Sequence, residues 1–447
     1  MKLRMATVRV LMIAALTATI AGCGVPGPGG SAPTASAAAA PAEAARSSTV
    51  DTGIKLPAGF TATIFADKLD RPRHVAVRDN GDVYVALRSG RRQVAPSNSA
   101  GGIAGLRDTN GDGVADVIER FGHADVDTGI AIHDGYLYFS SATAVYAMKL
   151  GDELKPSGEV ELVVGGFGES GGHSGKPITF DDEGHMYLQA GVPSNACQQQ
   201  DRVAGSPGQN PCPLLERFGG IWRYVASARN QDQISDGIRV STGHRNVVAL
   251  EWNPTVGALY MVMHGRDQLD TLWPKHYTAA QRSELPAEEF HRVAQNDNFG
   301  WPYTYYDPIR GQRMVSPEYG GDGNTPAEPG KYKDPLIGFP AHWAPDDLIF
   351  YTGTQFPAKY RDGAFIAFHG SWNREVQDGY CVVFVPMADG KPSGQWETFA
   401  DDFEGPKAIA SSAEAAHRPT GLAQGPDGSL YISDDVGGRI WKIRYAN

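Results

Sequence analysis

Apolar and polar residues alternate along this chain in a way that restates one unit. RPRHVAVRDNGDVYVAL (71–87) is an apolar run, a polar Asp-Asn-Gly turn and a second alternating run. The unit recurs as DTGIAIHDGYLYFSS (127–141), SGKPITFDDEGHMYLQAG (174–191), RNVVALEWNPTVGALYMVM (245–263), FPAKYRDGAFIAFHGSW (356–372) and RPTGLAQGPDGSLYISD (418–434). Period-two alternation predicts half-buried strands, and Asp-Gly or Asn-Gly between two such runs supplies the positive φ of a tight hairpin. The strand-like runs AVYAMKL, GIWRYVA and RIWKIRY follow three of these hairpins. Six hairpins extended outward predict an all-β fold, a six-bladed β-propeller of four-stranded antiparallel blades. Unequal spacing fits loop insertions on one face. A pair of β-sandwiches is the rival, but it gives no reason for six restatements. The best helical pattern is PAEEFHRVAQ (286–295), with proline suited to a first turn; it predicts a short helix in the insertion after the fourth hairpin.

Composition changes this picture at the N-terminus. A basic start (MKLRMATVR), a short apolar run and Ile20-Ala21-Gly22-Cys23 have the layout of a secretory signal with a lipobox. Residues 1–23 are therefore read as a lipoprotein-type signal peptide, with lipidation at Cys23 anchoring an exported, periplasmic or cell-surface chain to a membrane. A soluble secreted chain with a cysteine at the cleavage site is the alternative. Residues 24–51 are rich in Gly, Pro, Ala and Ser, lack the apolar bulk for a core, and read as a flexible linker. The propeller then occupies 52–447. The net charge of −11 becomes more negative once Lys2, Arg4 and Arg9 leave, which argues against a nucleic-acid partner. Cys197 and Cys212 flank a Gly/Pro/Asn-rich loop and are paired as a disulfide in an exported compartment, leaving Cys381 as a buried thiol. A metal site is the other reading of the two cysteines, and no histidine stands near either in sequence.

Five stretches carry chemistry. DTNGDGVADVIE (108–119) places oxygen donors at loop positions one, three, five, nine and twelve, namely Asp108, Asn110, Asp112, Asp116 and Glu119. Gly113 stands at the turn position and Val114 offers a carbonyl, the donor set a calcium ion takes from one short loop. The alternative is an acidic turn held by its own side chains. GGHSGKPITF (171–180) puts His173 ahead of the third hairpin, where an imidazole can accept a proton near neutral pH. STGHRNVVALEW (241–252) brings His244, Arg245 and Asn246 to the start of the fourth. HGRDQL (264–269) and HGSWNREVQDGY (369–380) end strands with Arg266 and with His369, Asn373 and Arg374. In a propeller equivalent strand ends meet around one axis. An acidic chain that gathers Arg245, Arg266 and Arg374 there is arranged to receive an anionic group.

These motifs, in order, resemble the glucose/sorbosone dehydrogenase family, six-bladed propellers that use pyrroloquinoline quinone (PQQ). The likeness runs over about residues 55–446 through LPAGFTATIFADKLDRPRHVAV, GGHSGKPITF, SNACQ…NPCPLLERFGGIWRY, STGHRN, NDNFGWPY, HGSWNR and RPTGLAQGPDGSLYISD, and is nearest to the bacterial sorbosone dehydrogenase-like branch. The resemblance implies His173 as general base, and Arg245 and Asn246 as contacts to the quinone and its C5 oxygen, with Arg245 stabilising the developing charge. It implies backbone carbonyls of Gly265 and Arg266 as ligands of a second, cofactor-bound calcium, and Arg374 as partner of a cofactor carboxylate; His244 is read as structural. The chain departs from glucose-oxidising members in having Gly265-Arg266 where they have Gly-Pro. It also has no basic residue in APDDLIFYTG (344–353) and no glutamine before the second hairpin. The implied activity is oxidation of a sugar, or of a sugar-derived aldehyde or alcohol, with electrons leaving to an external quinone or cytochrome. No C-x-x-C-H haem attachment motif is present. The rivals are a non-catalytic carbohydrate- or protein-binding propeller and a calcium-dependent propeller lactonase.

Overall fold

A computed structural model describes residues 52–88, 102–122 and 125–446. The signal peptide, Cys23 and the linker lie outside them. Six sheets carry the fold, each beginning with one strand of a hairpin. Blade one orders Pro72–Val77, Val83–Leu87, Gly102–Arg107 and Val117–Phe121. Blade two orders Val126–His133, Tyr136–Ser141, Val145–Lys149 and Glu161–Gly165. Blade three begins with Ile178–Phe180, His185–Ala190, Gly220–Val225 and Ile238–Thr242, and blade four orders Val247–Asn253, Ala258–Met263, Glu288–Val293 and Ile337–Phe339. Blade five orders Pro345–Phe350, Ala364–His369, Tyr380–Val385 and Glu397–Ala400. Blade six takes Pro419–Gln424, Leu430–Asp434 and Arg439–Tyr445 from the end of the chain, and its fourth strand, Phe60–Ala66, from near the start. The first strand of each blade packs on the first strands of both neighbours, which closes the ring.

The ring is held by one apolar layer between each pair of blades. Phe139 and Leu137 of blade two meet Tyr84 and Ile103 of blade one, and Phe290 and Tyr260 of blade four meet Ile366 and Phe368 of blade five. Strands buried on both faces explain near-continuous apolar runs such as VYVAL and YCVVFV. The predicted turns take positive φ at Gly81 (91°), Asp134 (46°), Gly135 (74°), Gly184 (81°) and Gly428 (79°).

Two expectations are corrected. PAEEFHRVAQ forms not a helix but the strand Glu288–Val293. Its apparent polar face is internal: Arg313 and His291 pair with Glu289, while Glu288 accepts from the N–H groups of Gly265 and Ala344. The helices lie just before it, at Leu269–Leu272 and Ala279–Glu284, the second with a Thr278/Gln281 capping box. In blade five, 356–361 is a loop containing a single turn at Ala358–Tyr360, and the inner strand is Pro345–Phe350. Asp346 and Asp347 hide this strand from an apolar pattern because both are buried at the axis.

The long connections of blades three and four (191–219 and 264–287) both join a second to a third strand, so they rise from the same face. The first contains the disulfide Cys197–Cys212, with Cα atoms 6.2 Å apart, and Cys381 is buried. Among the described residues no helix is long and apolar enough to cross a membrane.

Candidate active site at the propeller axis

The face carrying these connections is also where inner strands begin and second strands end, so short side chains from several blades meet there. His173 ends a single helical turn, Gly171–His173, just before the inner strand of blade three. Its Nδ1 lies 2.5 Å from the Val192 carbonyl. A carbonyl only accepts, so Nδ1 carries the proton and Nε2 keeps its lone pair. Burial, reinforced by the Arg245 charge, lowers the imidazole to about 3, so it is neutral at physiological pH.

Arg245 and Asn246 precede the inner strand of blade four and are buried. Arg245 donates through Nη1 to the Gly265 carbonyl (3.0 Å) and through Nη2 to Asp267 Oδ2 (2.7 Å), and its buried Nε has no partner among the described residues. Burial works to raise the Asp267 carboxyl, but Arg245, His342 and Arg202 outweigh it and hold the group down to about 2. Asn195, from the disulfide-bearing connection, fixes Asp267 from outside: its amide accepts from the Asp267 N–H and donates to the Asp267 carbonyl, each at 2.9 Å. Asn246 lies beside His173 because Gly191 separates them. A Cβ on Gly191 would stand 2.4 Å from the His173 carbonyl oxygen, 2.9 Å from His173 Cβ and 3.1 Å from Asn246 Oδ1. Gln189, with Nε2 3.5 Å from Asn246 Oδ1, has a buried Oε1 with no partner among the described residues. His244 is fully buried beneath them against Ser241 and Phe299, as a structural side chain.

The other sequence-derived residues fall as follows. Gly265 is pinned against Pro286 and Ala287, and its carbonyl faces Arg245. The Arg266 guanidinium turns into the insertion to pair with Glu318, so only its backbone is left for a ligand role. Arg374 is engaged by the Ser283 and Ala341 carbonyls and by Glu284, which clamps the second helix of the insertion. Those contacts engage both terminal nitrogens, and the buried Nε has no partner among the described residues. Asp108 accepts from the Gly111 and Gly113 N–H groups, Asn110 from Asp112, Asp112 from Val114, and Asp116 from Thr109. This loop joins the third and fourth strands of blade one, with Glu119 in the fourth. Among the described residues, the one trio of His, Asp and Glu side chains close enough to share a metal is Asp181, Glu183 and His185. It lies at the far end of the blade-three hairpin.

Sequence reading missed a buried charge network around the axis. Arg73 bridges Asp346 (2.9 Å) and Asp435 (3.0 Å), His369 Nε2 lies 2.8 Å from Asp435, His74 contacts the Asp346 carbonyl and His264 the Pro345 carbonyl. These carboxylates are matched by arginine or histidine and do not form an open acidic metal cage. The Asp-Asp pair in an otherwise strand-like APDDLIF was the one available signal.

The TrAA12-like family matches residues 54–446. A pyrroloquinoline quinone-dependent pyranose dehydrogenase of Coprinopsis cinerea is 29% identical over 266 residues, 53% of this chain and 33% of that protein. The match thus spans about a third of that relative's length. The holo form of the pyranose dehydrogenase PQQ domain from Coprinopsis cinerea is similar at TM-score 0.67 and 19% identity, covering 88% of this chain and 97% of that one. A calcium structure of a Trichoderma reesei enzyme of carbohydrate-active family AA12 gives 0.68 and 19%, covering 87% and 96%. At these identities the structures share the fold.

Proposed function

The chain belongs to the TrAA12-like family, and on that premise we propose that it is an oxidoreductase, a PQQ- and calcium-dependent dehydrogenase. Its substrate would be a sugar, or a sugar-derived aldehyde or alcohol, of aldose, pyranose or sorbosone type. The observation that carries this reading is the convergence of a neutral His173, its Nε2 unprotonated, with the buried Arg245–Asn246 pair. The residues present fit an anionic, carbonyl-bearing ring: Arg245 keeps a buried N–H with no partner among the described residues.

When bound, the quinone supplies the two-electron acceptor for the substrate's hydride. The rest is work for the protein. His173 Nε2 takes the hydroxyl proton, while the Val192 carbonyl holds the ring in the required tautomer. Arg245 and Asn246 would hold the cofactor, with the guanidinium stabilising negative charge as it develops on oxygen. Asp267 and Asn195 keep that guanidinium in place. The backbone carbonyls of Gly265 and Arg266 would hold the cofactor's calcium. The loop from Asp108 to Glu119 would hold a second, structural ion in place of its own Asx contacts. Lipid anchoring at Cys23 and transfer of electrons to an external quinone or cytochrome belong to the same proposal.

The test is reconstitution of the purified chain with pyrroloquinoline quinone and calcium, followed by dye reduction with a panel of aldoses. Quinone absorbance unchanged by the protein, with no dye reduction for any sugar, would refute the reading. A calcium-dependent rise in melting temperature that Asp112→Ala abolishes would support the structural ion.

A further inference from the structure

We infer that Lys176 is a positioning residue for His173: its ammonium ties the Ser174 carbonyl, one residue past the imidazole, to blade two, and so keeps the ring where it can take a proton. The part played by His173 rests on the reading above, whereas the tie is a matter of geometry. His173 follows Gly171 and Gly172, with Gly171 at φ 59°. Two glycines pass on little restraint from the chain before them. The turn's own bonds are local: Ser170 Oγ donates to the His173 carbonyl at 3.0 Å, and the His173 N–H donates to the Ser170 carbonyl at 3.1 Å. The Nδ1 bond to the Val192 carbonyl fixes only the far end of the side chain. The backbone end therefore has to be anchored from the residues that follow it.

Lys176 supplies that anchor. It is 1% exposed, and its Nζ donates to the Ala142 carbonyl at 2.6 Å and to the Ser174 carbonyl at 3.2 Å. Ala142 lies in the turn between the second and third strands of blade two, and that turn is itself braced. Ser141 Oγ accepts from the Ala144 N–H at 3.1 Å, and the Ser141 N–H donates to the Ala144 carbonyl at 2.8 Å. One ammonium thus joins a firm turn of blade two to the residue after His173, with the Phe167 ring centroid 5.1 Å away as a further partner. The backbone of Lys176 is pressed against the same blade: a Cβ on Gly129, in its inner strand, would stand 1.9 Å from the Lys176 carbonyl oxygen. Two other side chains reach this segment without doing the same work. Gln189 donates to the Gly175 carbonyl from within blade three. Arg88 donates to the Ser174 hydroxyl at 3.2 Å, which can rotate without moving the backbone. Burial lowers the Lys176 ammonium to about 8, with Asp127 acting against it, so it is charged at neutral pH. Bonds from a charged donor are stronger than those a neutral side chain would make to the same carbonyls.

The experiment compares the full-length wild-type chain with K176M, K176Q and K176R in three measurements. These are dye-coupled turnover per folded molecule, quinone Kd by tryptophan-fluorescence quenching with calcium, and the magnetic resonance spectrum of isotope-labelled histidine without quinone, His173 being identified by its loss in His173→Ala. K176M keeps the length and removes the donors, so kcat should fall roughly 10- to 100-fold, as for a reacting group displaced by about 1 Å. Quinone Kd should stay at the wild-type value, because Arg245 and Asn246 hang from blade four. K176Q, whose amide reaches at most one of the two carbonyls, should fall in between, and K176R should recover part of the loss. In the wild-type spectrum His173 should be a single neutral tautomer with the proton on Nδ1; in K176M and K176Q both neutral tautomers should be present. A wild-type His173 tautomer together with wild-type kcat in K176M and K176Q would overturn the assignment, however far melting fell, and leave Lys176 a structural cation. A rise in quinone Kd as large as the fall in kcat would also overturn it, because the tie would then serve the cofactor. If the wild-type chain oxidised no sugar, the enzyme reading would fall, while the histidine spectra would still decide whether Lys176 sets the His173 ring.

Discussion

Gly191→Ala tests whether the distances around His173 matter for turnover. The added Cβ would stand 2.4 Å from the His173 carbonyl oxygen, against about 3.3–3.6 Å for a comfortable carbon–oxygen contact. Something must retreat by roughly 1 Å. The neighbours are the backbone of His173 and the Asn246 side chain, both packed at the site and neither a flexible tip. Overpacking of this kind costs about 1–3 kcal/mol of stability, and a displacement of about 1 Å at a reacting group costs on the order of a hundredfold in rate. The assay is dye-coupled turnover of the reconstituted protein alongside denaturant unfolding. The control is Gly184→Ala, at φ 81° in the distal turn of the same blade with open space around it. It should lose about 1–2 kcal/mol through backbone strain alone and keep its turnover per folded molecule. If Gly191→Ala turned over at the wild-type rate, the placement of the proton acceptor beside Asn246 would be refuted.

His173→Ala should lower turnover by about 10²–10⁴-fold while quinone binding is retained, measured by dye reduction and fluorescence quenching. Asp267→Ala leaves Arg245 buried without its acid and should lower unfolding free energy by about 3–5 kcal/mol in urea. Burial pushes the Glu288 carboxyl up to about 8, against two N–H donors that favour its charge. The folded state therefore binds a proton that the unfolded chain, titrating near 4.5, has already lost. This share of stability is present at low pH and is lost as pH rises towards 8, with a slope of at most about 1.4 kcal/mol per pH unit. Urea titrations from pH 5 to 9 should show a shallower decline in Glu288→Gln; an unaltered slope would place the proton elsewhere.

Hairpins with glycine-bearing turns were legible because a two-residue period and a positive φ are local properties. Blade five was misplaced where locality failed: Asp346 and Asp347 sit in a buried strand because Arg73, His74, His264 and His369 reach them from other blades or from the neighbouring strand. Glu288–Val293 looked helical for the same reason, its acids being answered by Arg313, His291 and backbone amides. His173, Arg245 and Asn246 could be named from motif position. Asp267 could not, because its role depends on Asn195, 72 positions away. Arg374 could be named from its motif too, but its contacts with Ser283 and Glu284 could not, because the insertion of blade four supplies them.

The strand Phe60–Ala66 lies beside Arg439–Tyr445, so one of the first folded segments to be made waits for the last. Until the final strand arrives, blade six exposes unpaired N–H and C=O groups, and its apolar layer against blade five lacks Trp441 and Ile443. Ring closure thereby works as a check on completeness. A chain cut short before residue 439 keeps an open edge for proteases and chaperones to recognise, and the ring seals only once Arg439–Tyr445 has been made.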